Sequence, residues 1–158
     1  MAQAPGAPPP AAYLHANALA LGEKGLLLRG PSGAGKSALT LALIARIEAS
    51  GAFARLVGDD RVRVESHGGR LVARPHPAIA GLIEVRGIGP VRVPFEKACR
   101  LSALVDVGRP GETPARFPEE AEKKVVLQGV ALPRLYVQGC DDAALARIVV
   151  FLQSVDTN

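Results

Sequence analysis

The residues best suited to chemistry lie at positions 30 to 37, where the chain reads GPSGAGKS. Gly30 and Gly35 enclose four residues and are followed by Lys36 and Ser37, which is the Walker A or P-loop pattern. Glycines allow the backbone to curl so that N–H groups converge on an anion, and the start of a helix adds unpaired donors. Lys36 would then reach the β- and γ-phosphates of a nucleotide, and the Ser37 hydroxyl would bind Mg²⁺.

We therefore predict that this loop binds a nucleoside triphosphate. The predicted binding residues are Gly30, Pro31, Ser32, Gly33, Ala34, Gly35, Lys36 and Ser37. The alternative is an ordinary glycine turn with a solvated lysine. It is disfavoured because a chance match to the pattern is rare and because the loop follows an apolar run and precedes helical spacing.

Carboxylates further along the chain are candidates for the rest of a phosphoryl-transfer site. Asp59 and Asp60 end the segment LVGDD. Adjacent strand residues point to opposite faces, so one carboxylate could approach an acceptor and the other the metal. Aspartate pairs also occur in turns, where they bond their own backbone, and this structural interpretation stays open.

Glu84 lies inside the apolar run LIEVRG, where a carboxylate would be costly to bury without a partner or a metal. One interpretation makes Glu84 a Mg²⁺ ligand. The other pairs it with Arg86, which lies two residues on and would share its face of a regular strand.

The patterns around these residues indicate an α/β fold. Residues 13–21 and 26–29 flank the turn GEKG and predict a hairpin, while residues 37–47 have the apolar spacing of a helix. Further apolar segments predict strands at 54–60, 61–66, 70–74, 100–107 and 124–137, a run broken by glycines at 81–95, and a last helix at 141–155. We predict a P-loop-containing single domain over 13–158 with a mixed β-sheet and few helices, after a flexible Ala/Pro-rich tail at 1–12.

Composition excludes several classes of function. A chain of 158 residues with 48% hydrophobic content fits one globular domain. The net charge of +4 comes from scattered basic residues, and with two Tyr, four Phe and no Trp the chain offers little for nucleic-acid binding. No membrane-length apolar run or signal peptide is present, so we expect a soluble cytoplasmic protein. Cys99 and Cys140 lack metal-site spacing and are interpreted as two buried thiols.

Four segments in order resemble the catalytic domain of the bacterial HPr kinase/phosphorylase family. They are LHAN at 14–17, GPSGAGKS at 30–37, LVGDD at 56–60 and GLIEVRGIGPVRV at 81–93. The resemblance covers roughly 13–137, and we expect the family's separate N-terminal domain to be absent. It implies an enzyme that uses ATP and Mg²⁺ to phosphorylate a serine of HPr, the small phosphocarrier protein of the phosphotransferase system.

The resemblance also implies roles for single residues. Asp59 matches the acid that takes the serine proton, Lys36 matches the phosphate lysine, and Ser37 and Glu84 match the metal ligands. Asp60 is a further candidate for the metal.

Two more residues match the family's active site. His15 matches a catalytic histidine, although the residues alone would make it a structural histidine at a strand end. Arg116 matches an arginine, a residue whose planar and permanent charge would offset charge on the transferring group.

One segment departs from the family. Its members carry a basic, glycine-containing loop associated with phosphorolysis of phosphoserine HPr, and here residues 137–144 read VQGCDDAA. We therefore expect a kinase and doubt the phosphorylase activity. The family forms hexamers, so a homo-oligomer is expected.

Two other functions stay open. A small-molecule P-loop kinase would need a lid, which residues 107–116 could supply. A non-catalytic nucleotide-sensing module is disfavoured by the retention of Asp59 and Glu84.

Overall fold

The computed structural model describes residues 12–109, 111–112 and 116–156. Within these residues the chain forms eleven strands and two α-helices. The strands are β1 (Ala12–Leu14), β2 (Ala16–Leu21), β3 (Lys24–Arg29), β4 (Ala54–Gly58), β5 (Val62–His67), β6 (Arg70–Pro75), β7 (Leu82–Val85), β8 (Gly89–Arg92), β9 (Cys99–Gly108), β10 (Lys124–Leu127) and β11 (Val130–Gln138). The helices are α1 (Lys36–Ala49) and α2 (Asp142–Ser154), and short 3-10 turns lie at Pro77–Ile79 and Glu120–Lys123.

The main sheet is mixed and joins strands that are distant in sequence. Its order is β1-β5-β6-β9-β3-β2-β4, with β11 added to β9 and β10 to β11. The pairs β3–β9 and β9–β11 are parallel, and the other pairs of this sheet are antiparallel. Strands β7 and β8 form a separate antiparallel ribbon. The predicted α/β fold with a mixed sheet and few helices is confirmed.

Strand β3 is buried on both faces, which makes it a rigid support for the loop that follows. Alternate strand residues point to opposite faces. Leu26 and Leu28 therefore pack with Leu39 and Leu43 of α1, while Leu27 packs in the second core cluster on the other face of the sheet. Each buried leucine contributes roughly 1.5–3 kcal/mol.

The predicted hairpin and both helices are confirmed, and strands lie at the predicted segments. Two of these segments are divided in the structure: 13–21 is broken at His15 into β1 and β2, and 124–137 turns at Gln128 and Gly129 into the antiparallel strands β10 and β11. Asp141 caps α2, because its side chain accepts a 2.7 Å hydrogen bond from the Ala144 N–H. The prediction of a tail at 1–12 lies outside the described residues except for Ala12, which belongs to β1. No helix of the described residues is long and apolar enough to cross a membrane.

The prediction of two buried thiols is wrong for Cys140. Cys140 is exposed, because it lies in the turn between β11 and α2. The Glu84 side chain is also exposed, because its ribbon is two-stranded and one face of it meets solvent. Its neighbour Ile83 points the other way and is fully buried.

Candidate active site

The GPSGAGKS segment connects β3 to α1, and Lys36 is the first residue of that helix. The Lys36 ammonium donates hydrogen bonds to the carbonyl oxygens of Gly30 at 2.7 Å and Pro31 at 3.2 Å. Its side chain is almost fully buried, and burial lowers the pKa of Lys36, while the nearby charges of Asp60 and Asp59 act in the opposite direction. A cation is therefore held inside the loop with two carboxylates close by.

The two outer glycines of the loop are needed for different reasons. A Cβ at Gly30 would lie 2.3 Å from the carbonyl oxygen of Val107, so this glycine allows β3 to pack closely on β9. Gly35 has φ of 101°, a left-handed conformation that other residues rarely adopt, and it precedes the first turn of α1. Gly35 therefore lets the chain turn from the loop into α1, whose first N–H groups have no partner within the helix.

Asp59 joins three segments that the sequence analysis placed in the site. Its Oδ1 accepts a 2.8 Å hydrogen bond from the Ser37 hydroxyl, and its Oδ2 accepts one of 2.9 Å from the Glu84 backbone N–H. Asp59 is only 5% exposed. The carboxylate therefore belongs to the interior of the site, beside the loop.

Asp60 has a different environment from its neighbour. It follows Asp59 in a left-handed turn with φ of 64°, and its side chain is 60% exposed. The carboxylate pairs with Nε2 of His15, which is itself half exposed. The exposed pair of Asp60 and His15 lies at the surface, where an incoming group can reach it.

Asn17 holds this turn in place, although the sequence analysis assigned it no role. Its Oδ1 accepts the Asp60 N–H at 2.9 Å, and its Nδ2 donates to the Thr40 hydroxyl at 3.0 Å. Thr40 in turn donates to the carbonyl oxygen of Lys36 at 2.8 Å. Asn17 and Thr40 are fully buried. The role of Asn17 depends on its burial and on its partners in two elements, and neither can be recognised in the sequence.

A second polar cluster lies at the end of β3, just before the glycine loop. Arg29, the last residue of β3, donates to both oxygens of Asp106 at 2.7 and 3.0 Å, and Arg134 donates to Oδ2 at 2.5 Å. Burial alone would raise the pKa of Asp106, but the hydrogen bonds and charges of the two arginines outweigh it and lower the pKa. Sequence analysis missed this cluster because its members lie on three strands.

The acidic segment Gly139–Asp142 lies against the phosphate loop. A Cβ at Gly35 would be 3.4 Å from Cβ of Cys140, and the Gly139 N–H donates to the carbonyl oxygen of Gly108 at 3.1 Å. The segment that departs from the family pattern therefore borders the predicted nucleotide site.

The oxygen ligands near Ser37 fit a magnesium ion. Mg²⁺ in proteins is held by one or two carboxylates together with phosphates and water. The Ser37 hydroxyl and the Asp59 carboxylate supply such oxygens side by side. Within the described residues no group of three or more His, Cys, Asp and Glu side chains forms a metal cage.

Not every predicted residue is brought to this place. The Glu84 backbone contacts Asp59, but its side chain points to solvent. Arg116 lies in an exposed segment, with its guanidinium 5.3 Å from the ring centre of Phe117.

A mixed sheet with a strand, glycine loop and helix unit, and carboxylates beside the loop, defines the chain as an α/β domain. The family model for the HPr Serine kinase C-terminal domain matches residues 9–96, more than half of the chain. The chain therefore belongs to the HPr serine kinase C-terminal domain family, and the resemblance seen in the four sequence segments is confirmed.

Individual relatives agree with this assignment. The chain is 38% identical over 80 residues to the HPr kinase/phosphorylase of Mycoplasma mycoides subsp. mycoides SC, covering 51% of this chain and 24% of that protein. It is 36% identical over 122 residues to the HPr kinase/phosphorylase of Azoarcus sp., covering 70% and 37%. The chain thus spans a quarter to somewhat over a third of the length of these relatives.

A solved structure shares the fold. The Hpr(Ser) kinase/phosphatase from Coxiella burnetii matches with a TM-score of 0.72 and 24% identity, over 90% of this chain and 94% of that one. At this identity the match is evidence for the fold alone.

Proposed function

We propose that this chain is an ATP- and Mg²⁺-dependent protein kinase that phosphorylates a serine of an HPr-like phosphocarrier protein. The observation that carries the proposal is the contact of Asp59 with both Ser37 and Glu84 beside the glycine loop, in a chain of the HPr serine kinase family. We further propose that it works in the cytoplasm and as a homo-oligomer.

The nucleotide would occupy the loop of residues 30–37. Lys36 and the N–H groups at the start of α1 would bind its phosphates. Ser37 and Asp59 would hold Mg²⁺, and Glu84, whose backbone N–H contacts Asp59, would be a further ligand from β7. The bound metal would supply positive charge that offsets the charge of the transferring phosphoryl group.

The two aspartates would then divide the work. The sequence analysis assigned proton acceptance to Asp59, but its carboxylate is buried and engaged on both oxygens. Asp60 is exposed and oriented by His15, so we propose that it accepts the proton of the incoming serine hydroxyl. Arg116 remains our candidate for a cation on the acceptor side that offsets the charge of the transferring phosphoryl group.

The forward direction is favoured by the acidic segment at the loop. Asp141 and Asp142 follow Cys140, which packs near Gly35. Their negative charge would disfavour the binding of inorganic phosphate, the second substrate of the reverse reaction.

The direct test is incubation of the protein with ATP, Mg²⁺ and HPr, followed by mass spectrometry of HPr. We expect one added phosphoryl group on a serine, which should disappear with EDTA or in Lys36→Ala. A parallel incubation of phosphoserine HPr with inorganic phosphate should give little reversal. ATP binding without transfer to HPr would contradict the proposal and favour a nucleotide-sensing module, and transfer to a metabolite would favour a small-molecule kinase.

A further inference from the structure

A groove lined by cations and aromatic rings lies beside the acceptor side of the site. Its volume is about 370 Å³, and the lining includes Tyr13, Arg63, Arg74, Pro75, Phe95 and Lys97. No Asp or Glu side chain contributes to the lining. We call it the cationic groove, and neither the nucleotide nor the metal proposal uses it.

The cationic groove is continuous with the exposed carboxylate of the site. Tyr13 precedes His15 by two residues, a distance of about 7 Å along an extended chain. Arg61 directly follows Asp60, and its guanidinium lies 5.7 Å from the centre of the Tyr13 ring. A peptide of a few residues can therefore contact the groove while one of its side chains meets Asp60 and His15.

The groove carries more positive charge than its surroundings neutralise. Arg63 forms a 2.7 Å ion pair with Glu65. Arg74 and Lys97 are exposed, and neither forms an ion pair within the described part of the chain. An acidic ligand could therefore bind these two cations without breaking a close ion pair, although the charge of Arg74 also helps to lower the pKa of Glu65.

The aromatic walls offer a fixed apolar surface. Tyr13 and Phe95 are 45% and 37% exposed. Gly81 packs so closely under Phe95 that a Cβ there would lie 2.8 Å from the ring, and the Tyr13 ring lies 5.1 Å from that of His76. Exposed aromatic rings with neighbouring arginines are typical of protein interfaces.

We propose that the cationic groove docks the acceptor protein, through an acidic segment with an apolar side chain close to the phosphorylated serine. This inference rests on the proposed function and names the surface that recognises the acceptor. A protein fits better than a metabolite, because the binding residues extend along the surface from Asp60 and His15 to Phe95 and Lys97.

The test reverses the charge of the two unpaired cations in the double variant Arg74→Glu/Lys97→Glu. The matched control is Arg70→Glu/Lys124→Glu, which changes two exposed cations elsewhere by the same net charge. In assays of phosphoryl transfer to HPr, the groove variant should raise KM for HPr by about tenfold and leave kcat and KM for ATP unchanged. The control should behave like the wild type, and added salt should shrink the difference between the two variants.

The outcomes separate the two proposals. If the wild type phosphorylates HPr and the groove variant has the same KM for HPr, the docking inference is overturned and the proposed function stands. If the groove variant instead raises KM for ATP, the groove serves the nucleotide and the inference is again overturned. A wild type that binds ATP but neither binds nor phosphorylates HPr overturns both.

Discussion

The Ser37 hydroxyl donates a 2.8 Å hydrogen bond to Oδ1 of Asp59, whose Oδ2 accepts the Glu84 N–H at 2.9 Å. This carboxylate therefore ties the first turn of α1 to the end of β4 and to β7. Asp60, its neighbour in sequence, turns to the surface and pairs with His15. Two adjacent carboxylates are thus placed in unlike environments, one buried beside the glycine loop and one exposed at the surface.

Replacing each aspartate by asparagine should separate these roles. Asparagine tolerates the left-handed backbone of residue 60, so Asp60→Asn removes the charge and keeps the turn. We expect it to lower kcat for transfer by about 10²–10⁴-fold with Mg-ATP binding retained. Asp59→Asn should also weaken Mg-ATP binding, measured by calorimetric titration. If Asp59→Asn binds Mg-ATP normally without turnover while Asp60→Asn stays active, Asp59 is the base.

Loss of the Asn17 side chain should reduce both stability and activity. Asn17→Ala leaves the partly buried Asp60 N–H and the buried Thr40 hydroxyl without their Asn17 partner, which costs about 2 kcal/mol in the free energy of unfolding. It should also lower kcat, because Asp60 is no longer held. Thr40→Val is the matched variant. It loses the hydrogen bonds of Thr40 to Asn17 and to the Lys36 carbonyl but leaves the contact between Asn17 and Asp60, so it should keep kcat. Equal kcat values for the two variants would show that Asn17 does not position Asp60.

Asp106→Asn should destabilise the fold in a manner that depends on pH. Arg29 and Arg134 lower the pKa of Asp106 below its ordinary value of about 3.8. The ionised carboxylate therefore stabilises the fold above pH 3.8, and this stabilisation is lost as the pH falls through the lower pKa of the folded protein. We expect urea unfolding at pH 7 to show a loss of about 2 kcal/mol, shrinking toward pH 3. Glu120→Gln removes an exposed carboxylate and is the control. A difference that is constant with pH would contradict this prediction.

The two cysteines should differ in reactivity. Burial raises the pKa of Cys99 to about 12, and its thiol should not react in the folded protein. Cys140 is exposed and can be reached by a reagent. Its pKa is nevertheless raised, first by partial desolvation of the thiol and then by the charges of Asp141 and Asp142. Cys140 should therefore react slowly at pH 8 and faster at higher pH. Titration with a thiol reagent should therefore detect one reactive thiol in the native protein and two in urea.

Bound nucleotide should protect the reactive thiol. Because Cys140 lies next to Gly35, Mg-ATP in the loop should slow its labelling, and Cys140→Ser should abolish the reaction of the native protein. Labelling of Cys140 that proceeds at the same rate with saturating Mg-ATP would show that this segment does not border the occupied site.

Local sequence patterns were sufficient to predict the helices and strands nearest the site. The hairpin of β2 and β3, helix α1 and the cap of α2 at Asp141 depend on alternation, helical spacing and capping, which act between residues close in the chain. The glycine loop is likewise a contiguous motif. The sequence did not predict that β9 would lie between β3 and β6, because strand order depends on contacts between distant segments.

The amino-acid sequence by itself determined which groups are available for chemistry: a phosphate loop with Lys36 and Ser37, an aspartate pair and the GLIEVRG segment. Only the tertiary structure decided which carboxylate meets Ser37, which one meets His15, and that the Glu84 side chain is exposed. The reason is physical. The Ser37–Asp59, Asp59–Glu84 and Arg29–Asp106 hydrogen bonds join residues 22, 25 and 77 positions apart, and only packing of the whole sheet brings such residues within bonding distance.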